Sequence, residues 1–211
     1  MRVAIAGWSG LVGSHLLKGL TDDSQLEQIH ALGRRDGELQ AEKLSYHQVD
    51  FSDLKLQVEP LHVAYCCLGT TMKKAGSKAK FEEVDLHFVV NFAKWAKANG
   101  ASKFHVISAI GVSTKSMFFY NRVKAQMELE LKKLDFDCLV IYHPSLLIGG
   151  RKEFRLGERF GEIIMKLFEP LMIGSFKKFR ATRAETLAQI MRARIGQTQS
   201  ETLEAVQLHS L

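Results

Sequence analysis

The sequence predicts an α/β fold, one doubly wound parallel sheet flanked by helices on both faces. Three observations predict it. Short apolar runs alternate with amphipathic stretches almost to the end of the chain. Those runs are apolar throughout rather than at every second position, the pattern of strands covered on both sides. The 211 residues are 46% hydrophobic and 25% charged, with three prolines, enough for one full sheet-and-helix core. No linker, repeat or low-complexity tract divides the chain, so a single domain over residues 1–211 is expected.

In order, the apolar run from Val3 to Ala6 reads as the first strand. Leu11, Val12, Leu16, Leu17 and Leu20 mark the inner face of a first helix. Gln28 to Leu32 suits a second strand, Tyr46 to Val49 a third and Val63 to Cys67 a fourth. A long helix is predicted from Phe81 to Asn99, with Phe81, Val84, Phe88, Phe92 and Trp95 at helical spacing and Gly100 as its stop. Phe104 to Ser108 forms the fifth strand, Tyr120 to Leu134 the next helix, and Cys138 to Tyr142 the sixth strand. Beyond Pro144 the pattern loosens. Gly149, Gly150 and Gly157 punctuate a loop, a helix is suggested from Phe160 to Phe168 and broken near Pro170, and that helix either caps a pocket or meets another subunit. Ala184 to Ile195 is a final helix and Ala205 to Leu208 a last short strand.

The start of the chain carries the strongest functional signal. An apolar strand runs straight into Gly7-Trp8-Ser9-Gly10-Leu11-Val12-Gly13. A strand that turns sharply into a helix brings its backbone against whatever sits at the helix amino end, and glycine keeps that space open. Gly7 suits the tight turn, Gly10 the approach of a pyrophosphate and Gly13 the packing of helix on strand. A glycine triplet alone recurs in ordinary loops; here it follows a strand and opens an apolar helix, the context a dinucleotide site requires. The sheet is therefore expected to be Rossmann-like, with its ligand at the carboxyl ends of the strands.

The end of the second strand speaks to which cofactor. An NAD site places an acid about 20 residues past the glycines to bind the ribose 2′-hydroxyl. That stretch holds Arg34 and Arg35 instead. Two guanidiniums suit a 2′-phosphate in fork geometry and in charge, so NADP(H) is preferred, while the adjacent Asp36 leaves some tolerance for NAD(H). Read blandly, the same pair is a solvated basic loop.

Three further groups complete a candidate site. The Leu68-Gly69-Thr70 turn ends the fourth strand, where a small residue and hydroxyls approach pyrophosphate and ribose; a plain strand-ending turn explains it as well. Tyr120 and Lys124 lie one helical turn apart on one face. A neighbouring ammonium favours phenolate and so lowers a tyrosine pKa, which suits Tyr120 to give a proton to a developing alkoxide, while Lys124 is placed to hold a nicotinamide ribose. Ser108, ending the fifth strand, is placed to hydrogen-bond a substrate oxygen. Met117, Phe118 and Phe119 just before Tyr120 either line a substrate pocket or pack as a staple at the helix start.

Taken together, Gly7, Gly10, Gly13, Asp50 after the third strand, Leu68-Gly69-Thr70, Ser108, Tyr120, Lys124 and Pro144 resemble an atypical short-chain dehydrogenase/reductase. The likeness is to the NAD(P)-binding group that includes the Tat-interactive protein oxidoreductases, and Cys66-Cys67-Leu68-Gly69-Thr70-Thr71, Phe136-Asp137, Pro144-Ser145 and Gly157-Glu158 are similar to it as well. The resemblance implies a Rossmann-like fold, NADP(H) binding and carbonyl or alkene reduction. It places Asp50 near the adenine, makes Ser108, Tyr120 and Lys124 the catalytic set, and makes Pro144 a wall of the nicotinamide pocket. His143 stands where many relatives have an arginine. The region around 145–182 is left to form a small substrate side. Some members of the group bind NADPH as regulators, so a redox-sensing protein acting through a partner is the alternative to an enzyme reducing a small carbonyl or enone.

Composition narrows the rest. The net charge is +6, but Lys73-Lys74, Lys78-Ala79-Lys80 and Lys177-Lys178-Phe179-Arg180 are short and scattered and form no basic helix with stacking aromatics. A small-molecule substrate is thus expected rather than nucleic acid, with oligomerisation open. No apolar run approaches the roughly 20 residues of a membrane span. Cys66, Cys67 and Cys138 read as reduced buried thiols, the first two on opposite faces of a strand, and a cytoplasmic location is expected. His87, His105 and His143 read as satisfied core or crevice histidines, with no metal implied.

Overall fold

Among the described residues, seven parallel strands make the sheet in the order β3-β2-β1-β4-β5-β6-β9. They are β1 (Arg2–Ala6), β2 (Gln28–Gly33), β3 (Leu44–Gln48), β4 (Val63–Cys66), β5 (Lys103–Ile107), β6 (Cys138–His143) and β9 (Glu201–Glu204), and β7 (Leu147–Ile148) pairs separately with β8 (Thr182–Arg183). The computed structural model describes residues 1–149 and 181–209. Gly150, Gly157, Glu158, the helix expected from Phe160 to Phe168, the break at Pro170 and the Lys177–Arg180 cluster lie outside the described residues. The order is that of a Rossmann-like doubly wound sheet, and it reverses direction between β1 and β4, where such sheets bind ligands.

Both faces of the sheet are apolar, and each is covered. On one side Ala4, Ala64, Phe104 and Val106 pack against Val89 and Phe92 of α4 (Phe88–Ala98) and Met127 and Leu131 of α5 (Phe119–Lys132). On the other, Ile5, Val63, Tyr65, Val140 and Tyr142 meet Leu16 and Leu20 of α1 (Leu11–Thr21) and Leu187 and Met191 of α6 (Ala184–Ala193). The two helices of that second layer are tied by the Arg192 guanidinium donating to the Gly19 carbonyl at 3.1 Å. Cys66 belongs to the first layer and Cys67 packs against the second, as alternation along a strand requires, and all three cysteines are free thiols.

Two elements differ from the sequence expectation. The long helix predicted over Phe81–Asn99 is not uniform. After the short α2 (Met72–Ala75) and α3 (Lys78–Glu82) it passes through a π turn, Glu83–His87, before continuing as α4. The extra residue in that turn shifts the helical phase and leaves Asp85 buried at 1% exposure on a side that spacing alone reads as core. The last strand also lies earlier than expected. Glu201–Glu204 extends beside β6, and Ala205–His209 is a helix, α7, whose buried Ala205 and Leu208 are three positions apart. That spacing is helical, and a short apolar pair was too little to decide between periods.

His105 is fully buried under the second layer, with Nδ1 3.0 Å from the Tyr142 hydroxyl. Burial, then the nearby Lys103 and Arg194 charges, hold its pKa down at about 3. An unfolded chain's imidazole titrates near ~6.5, so on acidification the unfolded state takes up the proton first. The stability this residue contributes is therefore complete above about pH 6.5 and lost as pH falls toward 3. Urea midpoints measured across that window should fall, with His105 supplying up to about 1.4 kcal/mol per pH unit, and His105→Phe should show a shallower fall.

Candidate active site

The glycines lie where the backbone of the turn is most crowded. Gly7 has φ +78°, and a Cβ there would lie 2.5 Å from the carbonyl of Cys67 and 2.7 Å from the amide nitrogen of Leu68. A Cβ on Gly13 would sit 2.2 Å from the Gly7 carbonyl oxygen, and one on Gly10 3.1 Å from it. The turn is closed by the Gly10 amide donating to Gly7 at 3.0 Å. Gly10 is also the N-cap of α1, and among the described residues no side chain caps the helix there. A bare backbone cradle at the positive end of a helix, beside the β1/β4 reversal, fits a pyrophosphate. The side chains between the glycines mostly face inward: Val12 and Leu11 pack into the second layer, and Trp8 lies on Tyr46 with ring centroids 4.8 Å apart, leaving Ser9 exposed. Apart from the exposed Ser9, it is the backbone of this turn that is open to a ligand.

Arg34 and Arg35 follow β2 and are exposed. A Cβ on Gly33, just before them, would meet the Trp8 indole nitrogen at 2.6 Å, so the chain there is pinned against the glycine loop. The Asp36 carboxylate accepts from the Gln48 side chain at 3.0 Å. Asp50 is exposed, and its carboxylate accepts the Ser52 amide at 2.8 Å, a bond that lowers its pKa.

At the end of β4 the Leu68-Gly69-Thr70 turn is anchored by a residue that sequence reasoning missed. Asp85, in the π turn, accepts the Thr70 amide on one carboxylate oxygen at 2.8 Å and pairs through the other with Lys124 Nζ at 2.9 Å. Both side chains of the pair are almost wholly buried. Burial opposes the charge on Lys124, but Asp85, and then Tyr120, more than restore it and raise its pKa. Tyr120 itself is 37% exposed and packs its ring on Phe81 at 5.5 Å. The ammonium expected to act on Tyr120 and to hold a ribose is thus turned inward and shares its field with a carboxylate. Sequence carried one signal for Asp85: an acid four positions after Phe81, beside an apolar stripe.

Ser108 is likewise engaged. Its hydroxyl donates in a short hydrogen bond to Glu128 of α5, and it is 4% exposed, so its only proton is committed to the interior rather than presented to a substrate oxygen. Glu128 Oε1 also lies 2.8 Å from His143 Nε2, and His143 Nδ1 lies 2.9 Å from Glu204 Oε1. Pro144 is buried, its carbonyl accepting the Ile110 amide at 3.0 Å. Met117 and Phe118 are 94% and 74% exposed, and the staple falls to Phe119, 6.0 Å from Phe81. Tyr120, Lys124 and Glu128 follow one another at four-residue steps, a single stripe along α5. Among the described residues no cluster of histidine, cysteine and acid has the grouping of a metal site, and no helix is long and apolar enough to cross a membrane.

The model of the NAD dependent epimerase/dehydratase family matches residues 3–117. Protein HTATIP2 of Rattus norvegicus is 35% identical over 164 residues, which cover 74% of this chain and 66% of the rat protein. Protein FMP52, mitochondrial, of Candida albicans is 32% identical over 160 residues, covering 72% of this chain and 70% of its own length. Among solved structures, human epimerase family protein SDR39U1 with NADPH superposes with a TM-score of 0.65 at 15% identity, covering 97% of this chain and 74% of that one. MoeE5 in complex with UDP-glucose and NAD gives 0.72 at 12% identity, with 97% and 76% covered. These last two likenesses are of fold. The fungal relatives are named as mitochondrial proteins, which overturns the cytoplasmic location expected from the sequence.

Removing one partner of a buried ion pair strands the other charge. Asp85→Ala should lower stability by about 3–5 kcal/mol in urea denaturation, and adding Lys124→Met should recover most of that loss. Additive losses in the double variant would show that the pair is not coupled.

Proposed function

The chain belongs to the NAD dependent epimerase/dehydratase family as an atypical short-chain dehydrogenase/reductase, and on that premise we propose that it is an NADP(H)-dependent oxidoreductase that reduces a small carbonyl or enone. The observation that carries the reading is the amino end of α1 behind Gly7, Gly10 and Gly13, which no described side chain caps and which offers backbone donors and the helix dipole to a pyrophosphate. Preference for NADP(H) is supported by Arg34 and Arg35, exposed where a 2′-phosphate would lie, and by the engagement of Asp36 with Gln48. Asp50 is assigned to the adenine end and Pro144 to the nicotinamide wall. The chain is read as one cofactor domain, with the region around 145–182 on its substrate side.

When bound, the reduced nicotinamide supplies a hydride. Tyr120, the exposed hydroxyl of the α5 stripe, gives its proton to the substrate oxygen as negative charge develops there. Lys124 and Asp85 act beneath it: their pair ties α5 to the Gly69–Thr70 turn, which fixes the phenol relative to the cofactor cradle. Ser108 holds the end of β5 to the same helix through Glu128. A purely regulatory NADPH-binding role is not favoured by the family match.

Titration of NADPH and NADH followed by nicotinamide fluorescence should show tighter NADPH binding. The Arg34→Ala, Arg35→Ala double variant should weaken NADPH about tenfold or more and leave NADH nearly unchanged. Across a panel of small aldehydes, ketones and enones, Tyr120→Phe should lose about 10²-fold or more in turnover while keeping NADPH affinity. Full turnover by that variant would remove Tyr120 as the proton donor.

A further inference from the structure

His143 ends β6 with both ring nitrogens engaged. Nε2 meets Glu128 Oε1 of α5 at 2.8 Å, and Nδ1 meets Glu204 Oε1 of β9 at 2.9 Å. Because Glu128 Oε1 also accepts the Ser108 hydroxyl, four residues link the ends of β5, β6 and β9 to one helix. A neutral imidazole has one N–H, so it satisfies one carboxylate and turns a lone pair on the other. Only the imidazolium donates to both, and only its charge offsets two carboxylates facing each other across the ring.

Among the described residues, the charged groups facing His143 are Glu128 from α5 and Glu204 from β9. β5 brings the Ser108 hydroxyl alone, and Lys124, one turn before Glu128, is taken by Asp85. Burial opposes the charge on His143, but the hydrogen bonds and charges of Glu128 and Glu204 outweigh it and raise its pKa. Glu204 is half exposed, so the chain of contacts opens to solvent at that end.

We propose that His143 is a positioning residue whose protonation ties α5, and with it Tyr120 and Lys124, to the strand ends, holding the site together in neutral and mildly acid solution and loosening it in alkaline solution. Its bearing on Tyr120 rests on the oxidoreductase reading; its bearing on α5 does not. The sign is that of a histidine favoured in its charged form by the fold. Its stabilisation is full below the unfolded pKa of about 6.5 and is lost as pH rises through the raised folded value. An arginine at this position would keep both donors and the charge at every pH, and so would keep the tie without the response.

The test compares wild type, His143→Arg, His143→Gln and Glu204→Gln between about pH 6 and pH 9, where histidine charge changes. Urea midpoints should fall with rising pH in the wild type and stay level in His143→Arg; His143→Gln should be level and lower throughout. The His143 ring, followed by NMR, should titrate above the ordinary value and move down in Glu204→Gln. NADPH affinity should weaken about fivefold or more from the acid to the alkaline end in the wild type and not in His143→Arg. Parallel denaturation curves for wild type and His143→Arg, or a His143 titration indifferent to Glu204→Gln, would overturn the proposal. Absence of NADPH binding at every pH would overturn the cofactor reading instead, and the denaturation and NMR arms would still decide on His143.

Discussion

At Gly7 a side-chain carbon would lie 2.5 Å from the Cys67 carbonyl, and the arrangement of the whole carboxyl edge of the sheet follows from that contact. It lets the turn after β1 lie flat against the end of β4. It then lets α1 start so close to the strand that Gly13 touches the Gly7 carbonyl, 2.2 Å from where its own Cβ would be. The helix amino end is thereby delivered to the point where the sheet reverses direction. Any larger residue at Gly7 would have to push β4 away from β1, whose register runs from Val3 opposite Val63 to Ala6 opposite Cys66. Local backbone freedom and long-range sheet pairing are here one constraint, and the nucleotide cradle is its by-product.

The side of the edge that faces α5 is organised differently, by buried charge rather than by absent side chains. Helix α5 carries Tyr120, Lys124 and Glu128 on one stripe, and each of the two deeper residues is tied to another element. Asp85 receives Lys124 because the π turn adds a residue to the helix and brings the carboxylate round to face it. The same carboxylate holds the Thr70 amide, so a single acid joins the turn after β4 to the helix with the phenol. Buried ion pairs seldom add net stability, since desolvation offsets their attraction. What this pair supplies is a buried link between α5 and the turn after β4.

The sequence was most legible where a physical requirement acts on consecutive residues. The glycine turn, the apolar strands and the inner faces of α1 and α5 could be read because sterics and burial impose a short period on them. It was less legible where partners lie far apart in the chain. Asp85 and Lys124 are brought together by the phase shift of a π turn, which has no local sequence mark. Glu204 reaches His143 only because β9 pairs with β6 in register, His143 opposite Glu204. Ser108 follows the last residue of β5 directly, and its hydroxyl is taken by a glutamate twenty positions on. The last strand was misplaced by a few residues because Ala205 and Leu208 are too few to separate a period of two from one of 3.6.

The two ties on α5 differ in how they meet solvent, and that difference gives the helix an asymmetric hold. The Lys124–Asp85 contact is sealed, with both groups almost fully buried. The Glu128–His143–Glu204 contact is sealed at Glu128 and open at Glu204. A charge that cannot exchange with solvent serves to fix geometry, whereas one connected to solvent makes the geometry answer to it. Tyr120 lies one turn from the sealed tie and two from the one open to solvent, so its position is fixed first by Lys124 and adjusted by what happens at Glu128. A phenol expected to give up a proton is thus carried on a helix whose deeper turn is itself held by a proton, and both lie on one stripe of the same helix.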